Sequence, residues 1–417
     1  MVFGCLWGVE LHGRTLKNVS TEKIAARLRG AGLLVATLVG FLACRGDAER
    51  AGIVHDTIGG VPSVMNSDRG LLGDTVPWRL TQYLLVTGDQ LFDRQPAVYA
   101  MDVGILPNGG VVVLDMGNRR VLRFQADGVY LGSFGGPGEG PGQFVAPLFL
   151  EVTGERIYVL DTSLNRVTAF DTAGVFLSRF EINLAGLAGT TPLFAAGGPD
   201  ELYVAGEPVP FLTEVRDTGQ AVIYRMNRSG AIADTLALFL PSSWRRIEDT
   251  GGRSSFAKPR LAPRPRLSAT PGQVALVLGA RYMIEIRDPA GALLRRVARQ
   301  YDNVAVTPEI RDSILDEMER VPDAMPREAL ELVPFAPVVP AVESVIMDDR
   351  GRLWVDVYSG EVTRRDIFDA QGQYLGPLYL PQPVQLEDVS GDRACGMIVE
   401  LSGQSAVFCY MITARRD

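Results

Sequence analysis

The sequence predicts an all-β ring: a six-bladed β-propeller with four-stranded antiparallel blades and one helical insertion. Three observations predict it. A block from Met101 to Phe134 is echoed from Leu148 to Phe180, and Asp115/Asp161, Phe124/Phe170 and Gly128/Gly174 each lie 46 residues apart, a period suited to propeller blades. Within each block, short apolar runs alternate with glycine turns, as strands joined by tight hairpins should. At roughly 45 residues per repeat, the chain beyond its leader holds about six units once two insertions are set aside. Composition agrees. With 47% hydrophobic and 22% charged residues the chain is globular in type, and its 45 glycines and 26 prolines fall in clusters between the runs, not in tracts.

The elements follow in order. Residues 1–43 read as a signal peptide: Arg27 and Arg29 precede an apolar run from Ala31 to Ala43, too short to span a bilayer as a helix and of the right length for an export signal. The run ends Phe41-Leu42-Ala43-Cys44. This resembles the lipobox of bacterial lipoproteins, which implies cleavage before Cys44 and lipidation there. Residues 44–73, beginning RGDAER after the cysteine, are expected to form a tether. The propeller is expected over 74–417. The segment from Val76 to Val86 reads as a strand that pairs with the last block and closes the ring, because an open ring would leave exposed sheet edges.

In the first two blocks, residues 111–114 (VVVL) and 157–160 (IYVL) are buried strands rich in β-branched and aromatic side chains. Residues 121–125 alternate in character, and Asp127-Gly128 and Ala173-Gly174 supply turns. Asp115, Asn118, Arg120, Phe124 and Gly128, followed by the glycine-rich GEGPGQF of residues 138–144, resemble an NHL repeat. The second block matches through Asp161, Asn165, Arg166, Phe170 and Gly174, and later blocks keep only a skeleton. That resemblance implies a propeller that serves interaction. The last block, from Ala394 to Met411, lacks a fourth strand of its own. Cys395 and Cys409 flank its hairpin, diagonal to each other on one face. They are either a disulfide, as an oxidising compartment permits, or two small buried apolar residues.

Two insertions break the period, near 244–266 and 307–333. The first is loop-like, with Trp244, Arg245 and Arg246 at its start. The second predicts a helix from Pro308 to Glu319: Thr307 can cap it, Pro308 suits its first turn, and Ile310, Ile314, Leu315 and Met318 form its apolar stripe. This helix is expected to cover one mouth of the channel, with Trp244, Arg245 and Arg246 on the same rim.

For function, both histidines (His12 and His55) precede the repeats, so a His-based active site within them is excluded unless His55 folds back. The glycine-rich GGPGEGPG lacks the Gly-Lys-Ser/Thr ending of a phosphate loop, no GxSxG elbow occurs, and the formal charge of −8 argues against nucleic acid. The expectation is a non-catalytic, membrane-anchored extracytoplasmic platform for a protein or peptide, monomeric, without cofactor or metal. Arg120, Arg166, Trp244, Arg245 and Arg246 are its candidate rim. The alternative is a metal-dependent propeller hydrolase or lactonase with carboxylate and Asn ligands at the central channel.

Overall fold

The computed structural model describes residues 52–73, 78–96, 99–182, 193–198, 201–206, 221–227, 229–239, 245–248, 252, 254–320, 325–358, 364–399 and 405–414. The signal peptide, Cys44 and Trp244 lie outside the described residues. The chain opens with a hairpin, β1 (Val54–Ile58) and β2 (Val61–Asn66), then a ten-residue strand β3 (Trp78–Thr87) and a short ribbon, β4 (Leu91–Phe92) with β5 (Gln95–Pro96). Blade 1 follows: β6 (Ala100–Ile105), β7 (Val111–Asp115), β8 (Arg120–Phe124) and β9 (Tyr130–Gly135). Blade 2 is β10 (Pro147–Thr153), β11 (Arg156–Asp161), β12 (Arg166–Asp171) and β13 (Phe176–Glu181). Blade 3 is β14 (Leu193–Gly198), β15 (Glu201–Gly206), β16 (Ala221–Met226) and β17 (Ile232–Phe239). After a separate hairpin, β18 (Arg245–Glu248) and β19 (Ser254–Ala257), blade 4 runs through β20 (Arg266–Thr270), β21 (Gln273–Val277), β22 (Met283–Arg287) and β23 (Leu293–Arg299). Two helices intervene, α1 (Pro308–Glu319) and α2 (Arg327–Glu331). Blade 5 is β24 (Val342–Met347), β25 (Leu353–Val357), β26 (Arg364–Phe368) and β27 (Tyr374–Tyr379). Blade 6 is β28 (Gln385–Ser390), β29 (Arg393–Val399) and β30 (Ser405–Ala414), with β3 as its fourth strand.

The propeller predicted from the repeat is therefore the fold, with six blades of four antiparallel strands. Closure is made by β3, whose register with β30 runs from Trp78 opposite Ala414 to Thr87 opposite Ala406. The second strand of a blade is covered on both faces, which is why β7 reads as an unbroken VVVLD with all five residues buried. Outer strands such as β9 alternate instead.

One glycine recurs in the turn between third and fourth strands: Gly128, Gly174, Gly230, Gly291 and Gly372, all with φ between 79° and 91°. The turn bond repeats with it, as in Gly128 N–H to Gln125 C=O at 2.9 Å and Gly174 N–H to Asp171 C=O at 3.0 Å. A Cβ at Gly128 would lie 2.7 Å from the Tyr83 carbonyl, and one at Gly174 would lie 2.4 Å from the Phe134 ring. Both neighbours belong to the outermost strand of the preceding blade. The glycine thus satisfies the left-handed turn and sets the blade spacing together.

Two boundaries differ from the sequence reading. Residues 54–66, assigned to the tether, form the β1–β2 hairpin, and β2 adds to blade 4 in parallel with β23. The physical reason is Asn66. Its amide donates to the carbonyls of Ala298 and Gly372, both at 3.0 Å, and its carbonyl accepts Tyr374 N–H at 2.8 Å, so it stitches blade 4 to blade 5. The first insertion, read as a loop, contains the β18–β19 hairpin.

Helix α1 forms as predicted, with Thr307 Oγ accepting Ile310 N–H at 3.4 Å. It does not line the channel; no described residue of 307–333 does. The insertion that carries α1 rests on the other insertion through Arg260, whose guanidinium also reaches Met318 Sδ of α1 at 3.1 Å. The Arg260 backbone pairs with Pro334 (2.7 Å) and Ala336 (2.8 Å), and its guanidinium bonds the Leu330 carbonyl (2.9 Å) and lies 5.9 Å from the Phe335 ring centre.

Candidate functional site: the acidic channel

The first strands of all six blades (β6, β10, β14, β20, β24, β28) surround a central cavity of about 590 Å³, within the usual range for ligand sites. These strands run side by side in the same sense. The connections from each outer strand to the next inner strand therefore share one end of the ring, and both insertions lie at that end. Arg266, first in β20, and Glu343, second in β24, mark the mouth there.

Bulges aim acids into this space. The register of β24 skips Glu343, between Val342 and Ser344, and that of β28 skips Glu387, between Leu386 and Asp388. An extra residue in a strand is released from the pairing pattern, and here both extra residues are glutamates lining the cavity. Asp102, Glu151 and Asp388 join them.

These three carboxylates also staple blade to blade. Asp388 Oδ2 accepts Ile105 N–H at 2.7 Å, which links blade 6 to blade 1. Asp102 Oδ2 accepts Leu150 N–H at 2.7 Å, which links blade 1 to blade 2, while its Oδ1 takes Val103 N–H at 2.8 Å. Glu151 accepts Ala196 N–H, which links blade 2 to blade 3. Between blades 4 and 5 the acceptor is neutral: Ser268 Oγ takes Met347 N–H at 2.9 Å.

The electrostatics are those of like charges confined together. Burial within the ring pushes Asp102 and Asp388 up to about 7, against the pull of their backbone N–H bonds, and the Asp388 charge adds to the rise at Asp102. Burial, then the charges of Asp102, Asp388 and Glu387, raise Glu151 well above the carboxylate range. Glu387 is raised well above it too, by burial first and then by Asp102 and Asp356, with Arg266 and Arg365 opposing. The surfaces of these groups open onto channel water, yet protein surrounds them on every side, and the surrounding protein is what sets the desolvation cost. Among the described residues, Arg266 is the one basic residue in the cavity lining; its Nε donates to the Glu343 backbone carbonyl. Arg365 lies behind, ion-paired with Asp356, which burial also pushes up to about 7. The remaining lining mixes apolar side chains, including Phe149, Leu267 and Ile346, with polar ones, among them Thr153, Ser268, Ser344 and Gln385. Such a cavity suits a ligand that brings positive charge on an apolar frame. Among the described residues, no group of three or more His, Cys, Asp or Glu is arranged to hold a metal ion.

The residues chosen from sequence fare differently. Arg120 and Arg166 are each 5% exposed, and their guanidiniums are taken up by the loops beside them. Arg120 donates to Asp115 (2.9 Å) and to the Phe92 and Gln95 carbonyls (2.9 and 3.2 Å). Arg166 holds the carbonyls of Glu139, Gly140 and Gln143. The glycine-rich segment is thus a carbonyl cradle for an arginine, and the two arginines are structural. Asp161 takes the N–H groups of Val145 (2.7 Å) and Leu164 (3.0 Å). Asn118 corresponds to Leu164, both giving their N–H to the turn aspartate, while Asn165 corresponds to Arg119, both at positive φ.

Arg245 and Arg246 are exposed on β18, at the insertion end, and Arg246 pairs with Glu248 at 2.8 Å. Cys395 and Cys409 face each other directly, not diagonally, with Cα atoms 4.2 Å apart, and are disulfide-bonded. The channel acids were missed. Their signal was acids inside four of the six first strands: one each in MDVGI, LFLEVT and VESVIM, and two in QLEDVS.

No protein-family profile and no curated protein matches the sequence. Solved propellers are similar at low identity. A Bacteroides fragilis protein named as exported is 10% identical, with 85% of this chain and 100% of that one covered at a TM-score of 0.48. A streptogramin B lyase is 10% identical, with 81% and 98% covered at 0.40. A PQQ-bound aldose sugar dehydrogenase from Streptomyces coelicolor is 13% identical, with 82% and 100% covered at 0.41.

Proposed function

We propose that this chain is a non-catalytic, extracytoplasmic binding platform, anchored through lipid on Cys44, that receives a protein or peptide at the channel mouth beside its insertions. The observation that carries the reading is the channel itself: a ligand-sized cavity whose described lining sets several acids against one arginine, Arg266. Asp102 has both oxygens committed to backbone N–H groups and Asp388 is likewise bonded to Ile105, an arrangement poorly suited to metal ligation. The disulfide supports an oxidising compartment, the lipobox-like FLAC supports anchoring, and the resemblance of the first two blocks to NHL repeats supports a role in interaction. Among the described residues, no helix is long and apolar enough to cross a membrane.

Three experiments test this. Crosslinking of the full chain in intact cells should trap one recurrent partner, at residues around Arg266 and Glu343. Hydrolysis of esters or lactones that disappears in Glu387→Gln would replace the platform by an enzyme. Labelled palmitate should enter the wild type and not Cys44→Ala; equal labelling of both would remove the anchor from the account.

A further inference from the structure

We infer that the channel takes aliphatic cations, ammonium or guanidinium groups carried on methylene stems, with Glu387 as their central anchor. This rests on the platform reading and names the chemistry its partner presents. Three observations carry it. Glu387 is enclosed by the ring and opens only onto the cavity, and no hydrogen bond or ion pair among the described residues reaches its carboxylate. It is held there by a bulge, so the exposure of its charge to the channel is built into the backbone. And around it the charges are lopsided: Asp102, Glu151, Glu343 and Asp388 face one guanidinium, Arg266, whose Nε is bonded to a backbone carbonyl. Charge buried without a partner is costly, and a cation entering the channel relieves that cost.

The distribution of the acids favours an organic cation over a metal. They are spread around a cavity of about 590 Å³ on different blades, whereas a metal ion needs several oxygens converging at about 2.3–2.6 Å. Between the acids the lining includes leucine, isoleucine, valine and phenylalanine, which suit methylene stems, together with serine, threonine and glutamine. Two sources present this chemistry, a free polyamine and the lysine or arginine side chains of a peptide.

The test is titration calorimetry of the full chain at physiological ionic strength with spermidine, with an oligolysine peptide, and with calcium. Saturable one-to-one binding of either organic cation, weakened at least tenfold in Glu387→Gln, is the expected result. Tighter binding of the peptide assigns the source to a protein partner, and tighter binding of spermidine assigns it to a free polyamine. Absence of binding, equal binding by the variant, or displacement of spermidine by equimolar calcium would overturn the inference. Glu343→Gln, at the exposed mouth, gives a second variant should Glu387→Gln fold poorly, and a loss of about threefold or more is expected there. If polycations fail to bind while the crosslinked partner persists, only the ligand class falls. If the crosslinks are absent while polycations bind, the platform reading falls and the cation site stands.

Discussion

Two regions of this ring bury charge, and they do so in opposite ways. Between blades 4 and 5, Asp366 is fully buried and fully answered. Arg299 reaches it at 3.2 Å and Arg364 at 2.9 Å, and the hydroxyls of Tyr282 and Tyr374 donate to it at 2.8 and 2.9 Å. The Arg299 guanidinium also lies 4.7 Å from the centre of the Tyr374 ring. In the channel, Glu387 has none of this, and its nearest charged neighbours include two more acids. A buried charge is tolerated when its partners replace the water it lost. The first network meets that condition and belongs to the architecture. The second does not, so its acids weaken the empty ring, and such a liability points to a site.

The comparison breaks most visibly at Asp366. Asp366→Ala leaves the buried Arg299 and the half-buried Arg364 without their anion and should cost about 3–5 kcal/mol, read as a lowered midpoint in chemical denaturation. Next comes Asn66→Ala, which strips three hydrogen bonds from the seam between blades 4 and 5 and should cost about 2–3 kcal/mol. A loss below about 0.5 kcal/mol would show that the N-terminal hairpin is not part of the fold's cooperative unit.

The channel predicts the opposite sign with pH. Asp102 and Asp388 have folded-state values near 7, above the ordinary 3.8. The folded ring therefore binds more protons than the unfolded chain between about pH 4 and 7, and the stability from these groups is lost as pH rises through 7. The denaturation midpoint should be higher at pH 5.5 than at pH 8. A midpoint that rises steadily towards pH 8 would mean that another set of groups dominates. Smallest of all, Arg327 gathers Asp312, Asp316, Glu319 and Glu331 on the outer helices. These acids are exposed, so Arg327→Ala should leave the denaturation midpoint essentially unchanged.

How much of this was legible in the sequence follows from what each residue depends on. The ring was readable because Gly128 and Gly174 mark the same turn, and because β-branched runs such as VVVL have few other fates. Closure by β3 was readable from the missing fourth strand. The β1–β2 hairpin was not, because its pairing is parallel and set by Asn66 reaching across to Tyr374, more than 300 residues away. Arg120 and Arg166 misled for a related reason. An arginine near a predicted turn looks solvent-facing, and only the folded loop reveals carbonyls converging on its guanidinium. The channel acids were half legible. Asp102 and Glu151 stood in plain view inside the two repeats, but the repeats were aligned on their turns, and the first strands went unread as a ring of inward positions.

The central claim is that the channel carboxylates are kept for a ligand, not for the fold. Its most direct test is the chemical stability of Glu387→Gln against wild type at pH 7.5, without added cation. Removing a buried charge that has no partner should leave the midpoint unchanged or raise it by about 1 kcal/mol. A variant less stable by more than about 1 kcal/mol would show that Glu387 is held by contacts that stabilise the ring, and the channel would then be architecture like the Asp366 network.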